Sequence, residues 1–290
     1  MLDSQVEIRS GKRFAFGANW RRFVETVDEE KITAARESLE RALAVADLTH
    51  RSFLDVGCGS GLFSLAANRM GAEIRSFDFD LESVAATTEL RQRFAPDSRW
   101  RVERGSILDE RFTTGLGRHD IVYSWGVLHH TGDLWRALDA TTRLVRDGGL
   151  LFVSVYNDQG LKSRLWTRVK RRYNASGPVG RATLVALSAA CLRWQVPARS
   201  LVRAIRRENT PPPIRVRGMS AKHDLVDWVG GYPFEVARPE QVFDFLRARG
   251  FELRYLKTCA GGLGCNEFVA QAPQAPAPVH RADSGSVRNR

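Results

Sequence analysis

The sequence predicts an α/β fold: a seven-stranded sheet, mostly parallel with the last strand antiparallel, helices on both faces, and a helical insertion after the fifth strand. Three observations carry this prediction. Between Arg51 and Val155, short β-type runs alternate with longer stretches of helical period, the pattern of a parallel sheet covered by helices. Gly and Asp gather at the carboxyl ends of those runs, where an open α/β sheet puts its ligand crevice. After a long stretch without alternation, the pattern returns as one helix and two strands that read as a closing hairpin.

In chain order, residues 1–50 predict lid helices. One of these starts near Asp28 and carries Asp28, Glu29 and Glu30 in its first turn, where the helix dipole favours negative charge. It is expected to pack over the sheet edge. The core follows in two pieces, 51–156 with the strands SFLDV, AEIRSF, WRVE, HDIVYS and GLLFVSV, and 236–272 with the helix RPEQVFDFLRARG and the strands FELRYLK and NEFVAQA. Residues 157–235 form the insertion. The stretch 273–290, rich in Pro, Ala and Ser with almost nothing to bury, is expected to be disordered.

A chain of 290 residues is long enough for one sizeable core plus an elaboration. No run of 18 apolar residues marks a membrane span, and the amino terminus lacks the apolar core of a secretory signal, so the expected compartment is the reducing cytoplasm. The four cysteines are then free thiols, and the spacing of Cys259 and Cys265 matches no common zinc pattern. The net charge of +11 belongs to one segment: between Asn157 and Arg217, 14 Lys and Arg stand against two acids, Asp158 and Glu208.

The most specific feature is FLDVGCGSGLFS, where an apolar strand ends in Asp55 and turns through Gly57, Cys58, Gly59 and Gly61 into a helix. Dinucleotide sites favour G-x-G-x-x-G facing a pyrophosphate. This loop is G-x-G-x-G with an acid two residues ahead, which suits a ligand with a cationic end.

In these motifs and their order the chain resembles class I S-adenosylmethionine-dependent methyltransferases, across Phe53–Tyr156 and again over the terminal hairpin. The resemblance implies a Rossmann-like core and S-adenosyl-L-methionine as cofactor. It implies that Asp55 holds the methionyl amino group and that the glycine loop packs along the methionine moiety. Asp78, 21 residues after Gly57, would accept both ribose hydroxyls, and Phe79 would line the adenine face. Ser106 stands where Asp is more usual beside the adenine, with Ile107 packing on the base. Trp125 and Gly126 sit where the family contacts cofactor. Trp20 either closes over the sulfonium by cation–π attraction or anchors the lid.

The run YSWGVLHHTGD also resembles the ubiquinone-pathway O-methyltransferases, whose turn carries two glutamates and a histidine able to hold a divalent metal. Here Gly126 and His129 replace the acids and His130 keeps the histidine. Hard cations prefer carboxylate oxygens, so no metal is expected. His129 and His130 are the candidate catalytic residues: one serves as general base, or both merely hold the turn.

The insertion is basic and amphipathic. Leu161, Leu165, Trp166, Val169 and Tyr173 share a helical stripe, while Lys162, Arg164, Arg168, Lys170, Arg171 and Arg172 occupy the remainder. Such a helix either meets an anionic membrane or packs its stripe on the domain. Nucleic acid is disfavoured, because strand four is not followed by the Asn/Asp-Pro-Pro-aromatic run used on base amines and no RNA-binding module is appended. Tyr156, Asn157, His223 and Tyr232 are candidate substrate contacts. The function expected is O-methylation of a small or lipid-like hydroxyl or phenol. N-methylation, transfer-RNA methylation and non-catalytic cofactor binding are the alternatives.

Overall fold

The computed structural model describes residues 4–191 and 221–275. Strands β1 (Ser52–Val56), β2 (Glu73–Asp78), β3 (Trp100–Arg104), β4 (His119–Trp125), β5 (Val145–Tyr156), β6 (Glu252–Lys257) and β7 (Cys265–Gln271) form one sheet in the order β3-β2-β1-β4-β5-β7-β6. The first five pair in parallel. Strand β7 runs antiparallel to both β5 and β6, between which it lies.

Alternate side chains of each strand feed two cores. Phe53, Ile74, Ile121, Tyr123 and Phe152 face α3 (Glu29–Leu43), α4 (Leu62–Arg69) and α5 (Leu81–Phe94). On the other side, Leu54, Val56, Val122, Leu151 and Phe268 meet Leu134 and Leu138 of α7 (Leu134–Arg143) and Val242 and Leu246 of α11 (Pro239–Arg247). The short α6 (Glu110–Thr114) follows β3.

Helix α3 begins where its sequence requires: Asp28 is the N-cap and accepts from the Lys31 amide at 2.9 Å. It does not overhang the sheet edge as expected. Its residues Ile32, Ala35, Leu39, Ala42 and Leu43 enter the first core, because that face is apolar at helical spacing. The covering element is instead α2 (Gly17–Val24), preceded by the short α1 (Ser4–Arg9). The Gly17 amide donates to Asp80 Oδ2 at 3.0 Å, and a Cβ at Gly17 would stand 2.5 Å from that oxygen. Only glycine lets α2 seat this close to the β2–α5 turn.

The insertion contributes α8 (Leu161–Asn174), α9 (178–191) and α10 (Ala221–Gly230). In α8 the expected stripe splits. Trp166, Val169 and Tyr173 pack inward with Phe14 and Val229, but Leu161 and Leu165 face solvent, and Lys170 is fully buried. The Lys170 ammonium donates to the Trp228 carbonyl and lies 4.6 Å from the ring centroids of both Trp228 and Phe234. A lysine turns inward here because a carbonyl and aromatic faces receive its charge. The Phe14 amide donates to the Tyr232 carbonyl at 2.8 Å, joining the amino-terminal segment to the insertion. Among the described residues no helix is long and apolar enough to cross a membrane. The stretch 276–290 lies outside them.

Candidate active site

A cavity of about 2020 Å³ opens at the carboxyl ends of β1, β2 and β4, where the strand order reverses between β1 and β4. Typical small-ligand sites hold roughly 300–1,000 Å³. This one has room for two ligands side by side.

One end is built on the β1 loop. The Gly57 and Cys58 amides donate to the Phe77 carbonyl at 2.9 and 3.1 Å, which fixes the loop against β2. Gly57 adopts φ +77°, and a Cβ there would stand 2.3 Å from Val127 Cγ1, so the loop passes directly beneath the β4 exit. The carboxylate of Asp78 ties two turns together, accepting from the Gly59 amide at 3.0 Å and the Asp80 amide at 2.9 Å. Those bonds use two of its four lone-pair directions, and it lines the cavity with the rest. Burial pushes Asp78 up to about 6, with the Asp80 and Gly59 amides pulling the other way.

Asp55 is buried behind the loop. It accepts from Ser64 Oγ at 2.6 Å, and burial, reinforced by the charge of Asp78, pushes it up to about 7. Two acids on one desolvated wall favour a ligand that brings positive charge and hydroxyl donors.

Around them the expected cofactor residues fall into place unevenly. Trp20 lies over Gly59, where a Cβ would meet the indole at 3.0 Å. Phe79, Ser106 and Ile107 line the same end. Ser106 Oγ accepts from the Leu108 amide at 3.2 Å, so part of its capacity is spent on its own turn. Cys58 also lines the cavity, but its Sγ accepts from Thr87 Oγ1 at 3.2 Å and burial raises its thiol, which stays uncharged. Gly61 is absent from the lining. It packs the loop on α5, where a Cβ would stand 2.8 Å from Thr87 Cγ2.

The opposite end is aromatic. Trp125 donates through Nε1 to Glu267 at 3.2 Å, and the Gly126 amide donates to Ser154 Oγ at 2.8 Å. Tyr156 and Trp228, with ring centroids 5.3 Å apart, form a wall beside them. His130 lies against Phe16 at 4.8 Å and Tyr156 at 5.5 Å. Its Nδ1 pairs with the Pro233 carbonyl at 2.6 Å and must therefore be the protonated nitrogen, which leaves the lone pair on Nε2. Burial pushes His130 down to about 3, and Lys170 and Arg13 add to the effect. At neutral pH it is an uncharged acceptor.

His129, expected beside it in catalysis, does not line the cavity. It is fully buried behind Tyr156, 4.0 Å between centroids, and burial holds it well below the usual histidine range. Of the expected substrate contacts, Tyr156 lines the cavity and two others do not. Asn157 Oδ1 accepts from Asn266 Nδ2 at 3.1 Å, holding the rim. Tyr232 faces Arg171, its ring centroid 5.9 Å from the guanidinium carbon. His223 sits in α10, with its side chain outside the described residues.

Arg13 gave no signal in the sequence. Its Nη1 donates to the His130 carbonyl at 2.6 Å, its Nη2 to the Thr131 carbonyl at 3.4 Å and its Nε to Glu7 at 2.7 Å, while its guanidinium sits 4.9 Å from the Phe79 centroid. It bridges the two ends of the cavity. Among the described residues no cluster of three or more His, Cys, Asp or Glu is placed to hold a metal ion.

Residues 27–201 match a methyltransferase-domain family. A ubiquinone biosynthesis O-methyltransferase of Brucella melitensis is 30% identical over 105 residues, covering 36% of this chain and 41% of its own. One from Xanthomonas oryzae pv. oryzae is 34% identical over 121 residues, covering 41% and 48%. The chain thus spans less than half the length of these curated relatives. Among solved structures, magnesium protoporphyrin IX methyltransferase from Synechocystis PCC 6803 with bound S-adenosylmethionine superposes with a TM-score of 0.52 at 12% identity, over 94% of this chain and 98% of that one. At that identity the likeness concerns the fold.

Proposed function

The chain belongs to the methyltransferase-domain family, and on that premise we propose that it transfers the methyl group of S-adenosylmethionine to an oxygen of a small or lipid-like hydroxyl or phenol. The match to the methyltransferase-domain family supports methyl transfer, and the glycine loop with Asp55 and Asp78 supports S-adenosylmethionine as the donor. The observation that carries the finer reading is the division of one cavity into an acidic end, with Asp55 and Asp78, and an aromatic end, with Tyr156, Trp228 and the lone pair of His130.

The acidic end fits the cofactor. The glycine cradle has no space for a Cβ at Gly57 and would press one on the Trp20 indole at Gly59, Asp78 has lone pairs left for ribose hydroxyls, and Asp55 suits the methionyl amino group. The bound cofactor supplies an electrophilic methyl carbon on a sulfonium. The protein's work is positional: Trp20 and the Arg13 bridge cover the cavity, and the Tyr156–Trp228 wall holds the acceptor against the methyl at near-attack distance. His130 Nε2 accepts a hydrogen bond from the acceptor hydroxyl and orients its oxygen. As the C–O bond forms and the C–S bond breaks, the hydroxyl proton would leave to water, because an imidazole titrating near 3 is too weak a base to keep it at neutral pH; the histidine's share is therefore smaller than the roughly 10²–10⁴ of a matched base.

His130→Gln is therefore expected to lower kcat by about tenfold, with unchanged affinity for S-adenosylhomocysteine. At saturating cofactor, kcat should show no limb between pH 5 and 8 that this variant removes. Finding such a limb near 6.5 would restore the general-base role. The screen for turnover uses phenolic and lipid-like acceptors and reads S-adenosylhomocysteine formed. Binding without turnover of any of them would leave a non-catalytic binder.

The acids give a pH dependence of defined sign. Both are raised above the usual 3.8, to about 7 and about 6. Their burial therefore costs stability above pH 7, and the protein recovers it as pH falls toward 4. A ligand with a cationic end and hydroxyl donors needs the ionised forms. Its affinity should be flat above pH 8 and fall below 7, by as much as about tenfold per pH unit for each acid. Titration calorimetry from pH 8.5 to 5.5 reads this, and a flat profile throughout would remove both acids from the cofactor site.

A further inference from the structure

Helix α8 presents two unlike faces. Its inner face carries Trp166, whose ring lies 5.7 Å from that of Trp228 in the cavity wall, together with Lys170 and Tyr173. On its outer face Leu161 is 79% exposed and Leu165 58%, and Lys162, Arg164, Arg168, Arg171 and Arg172 are exposed as well. The 3.6-residue period puts Leu161, Leu165, Arg168 and Arg172 in one line opposite Lys170, with Arg164 on one flank and Lys162 on the other. The helix contains no acid. Leucines one turn apart at the crest of an arginine face are not accounted for by packing, since the buried positions are filled by other residues.

We propose that the outer face of α8 docks on an anionic lipid surface, with Leu161 and Leu165 entering the acyl boundary and the Lys and Arg side chains meeting headgroup phosphates. Charge complementarity fixes the sign of the partner, and the leucines fix its class. A polynucleotide would satisfy the arginines but offers the leucines nothing. Surfaces that bind single strands place aromatic side chains where bases stack, and both aromatics of α8 face inward. Docked in this way, the Trp228 wall lies about one helix diameter, ~10 Å, from the headgroups. The docking rests on α8 alone and stands whether or not the acceptor is a lipid.

The test is flotation of the full chain with vesicles of phosphatidylcholine, with and without phosphatidylglycerol. The wild type should float only with the anionic vesicles and lose binding in high salt, where screening shortens to about 3 Å. Leu161→Ser with Leu165→Ser should weaken partitioning about tenfold, and Arg164→Gln with Arg168→Gln about thirtyfold. Both variants should keep the wild-type circular dichroism and melting curve, because none of the four side chains is buried. Flotation with neutral vesicles alone, no flotation, variants that bind like wild type, or binding to RNA in place of vesicles would each overturn the proposal. None of these outcomes depends on cofactor binding, so the proposal and the enzymatic reading fail separately.

Discussion

Asp78→Ala will weaken binding of S-adenosylhomocysteine by two to three orders of magnitude, about 3–4 kcal/mol. The carboxylate does two things at once. It accepts the Gly59 and Asp80 amides, which set the β1 loop and the start of α5 relative to each other, and it offers its remaining lone pairs to the ligand hydroxyls. Alanine removes the ligand contacts and also releases both amides inside a desolvated wall. Asp78→Asn separates the two effects: its amide oxygen can still accept from one turn, but its NH₂ faces a donor at the other. It is expected to lose nearly as much affinity as alanine. Titration calorimetry at pH 8 measures this, with thermal melting to follow the fold. Affinity retained within about threefold in Asp78→Ala would show that the ribose is held elsewhere.

Gly57→Ala has the second largest expected effect, and its cause is steric rather than electrostatic. The new methyl would sit 2.3 Å from Val127 Cγ1 and 2.6 Å from Val127 Cγ2, at a φ of +77° that alanine adopts at a cost of about 1–2 kcal/mol. The clash must push the β1 loop away from the β4 exit, and the cofactor lies on that loop. We expect at least a hundredfold loss of affinity and a destabilisation of about 2–4 kcal/mol. Adding Val127→Ala removes the two shortest contacts but leaves the residue's Cβ 3.0 Å away and the backbone strain in place, so the double variant should recover part of the loss. If Gly57→Ala alone binds normally, the loop is more compliant than the contacts at Gly57 imply.

The first half of the sheet was legible in the sequence because β1 to β4 are short runs that each meet Gly or Asp at the carboxyl end: Gly57, Asp78, Gly105 and Gly126. Two strand-end residues, Asp55 and Asp78, therefore marked the cavity before any geometry was known. The turn from Asp55 to Gly59 was legible for the same reason, although Gly61 faces Thr87 and serves packing. Helix α8 was read less well. Periodicity puts its five apolar residues on one stripe, for a membrane or for the domain, whereas tertiary contacts divide that stripe: the Trp228 carbonyl and aromatic rings bury Lys170, and Leu161 and Leu165 are left outside. Arg13, Phe16 and Val127 carried no pattern. Each acquires its place from residues far along the chain, and nothing local in the sequence encodes such partners. The paired histidines were visible, but their ranking was not, because it depends on which ring Pro233 holds and which one Tyr156 covers.

The bond between the Phe14 amide and the Tyr232 carbonyl, with that between Arg13 and the carbonyl of His130, also bears on the order in which the protein is made. Residues 13 and 14 leave the ribosome more than 200 residues ahead of Tyr232. The β1 loop and Asp78 are complete in the nascent chain while the roof above them still lacks its anchor. The aromatic end is also unfinished at that stage, because Trp228 has not been translated. A half-made chain thus carries the acidic residues but lacks Tyr173 and Val229, the later residues against which Phe14 packs.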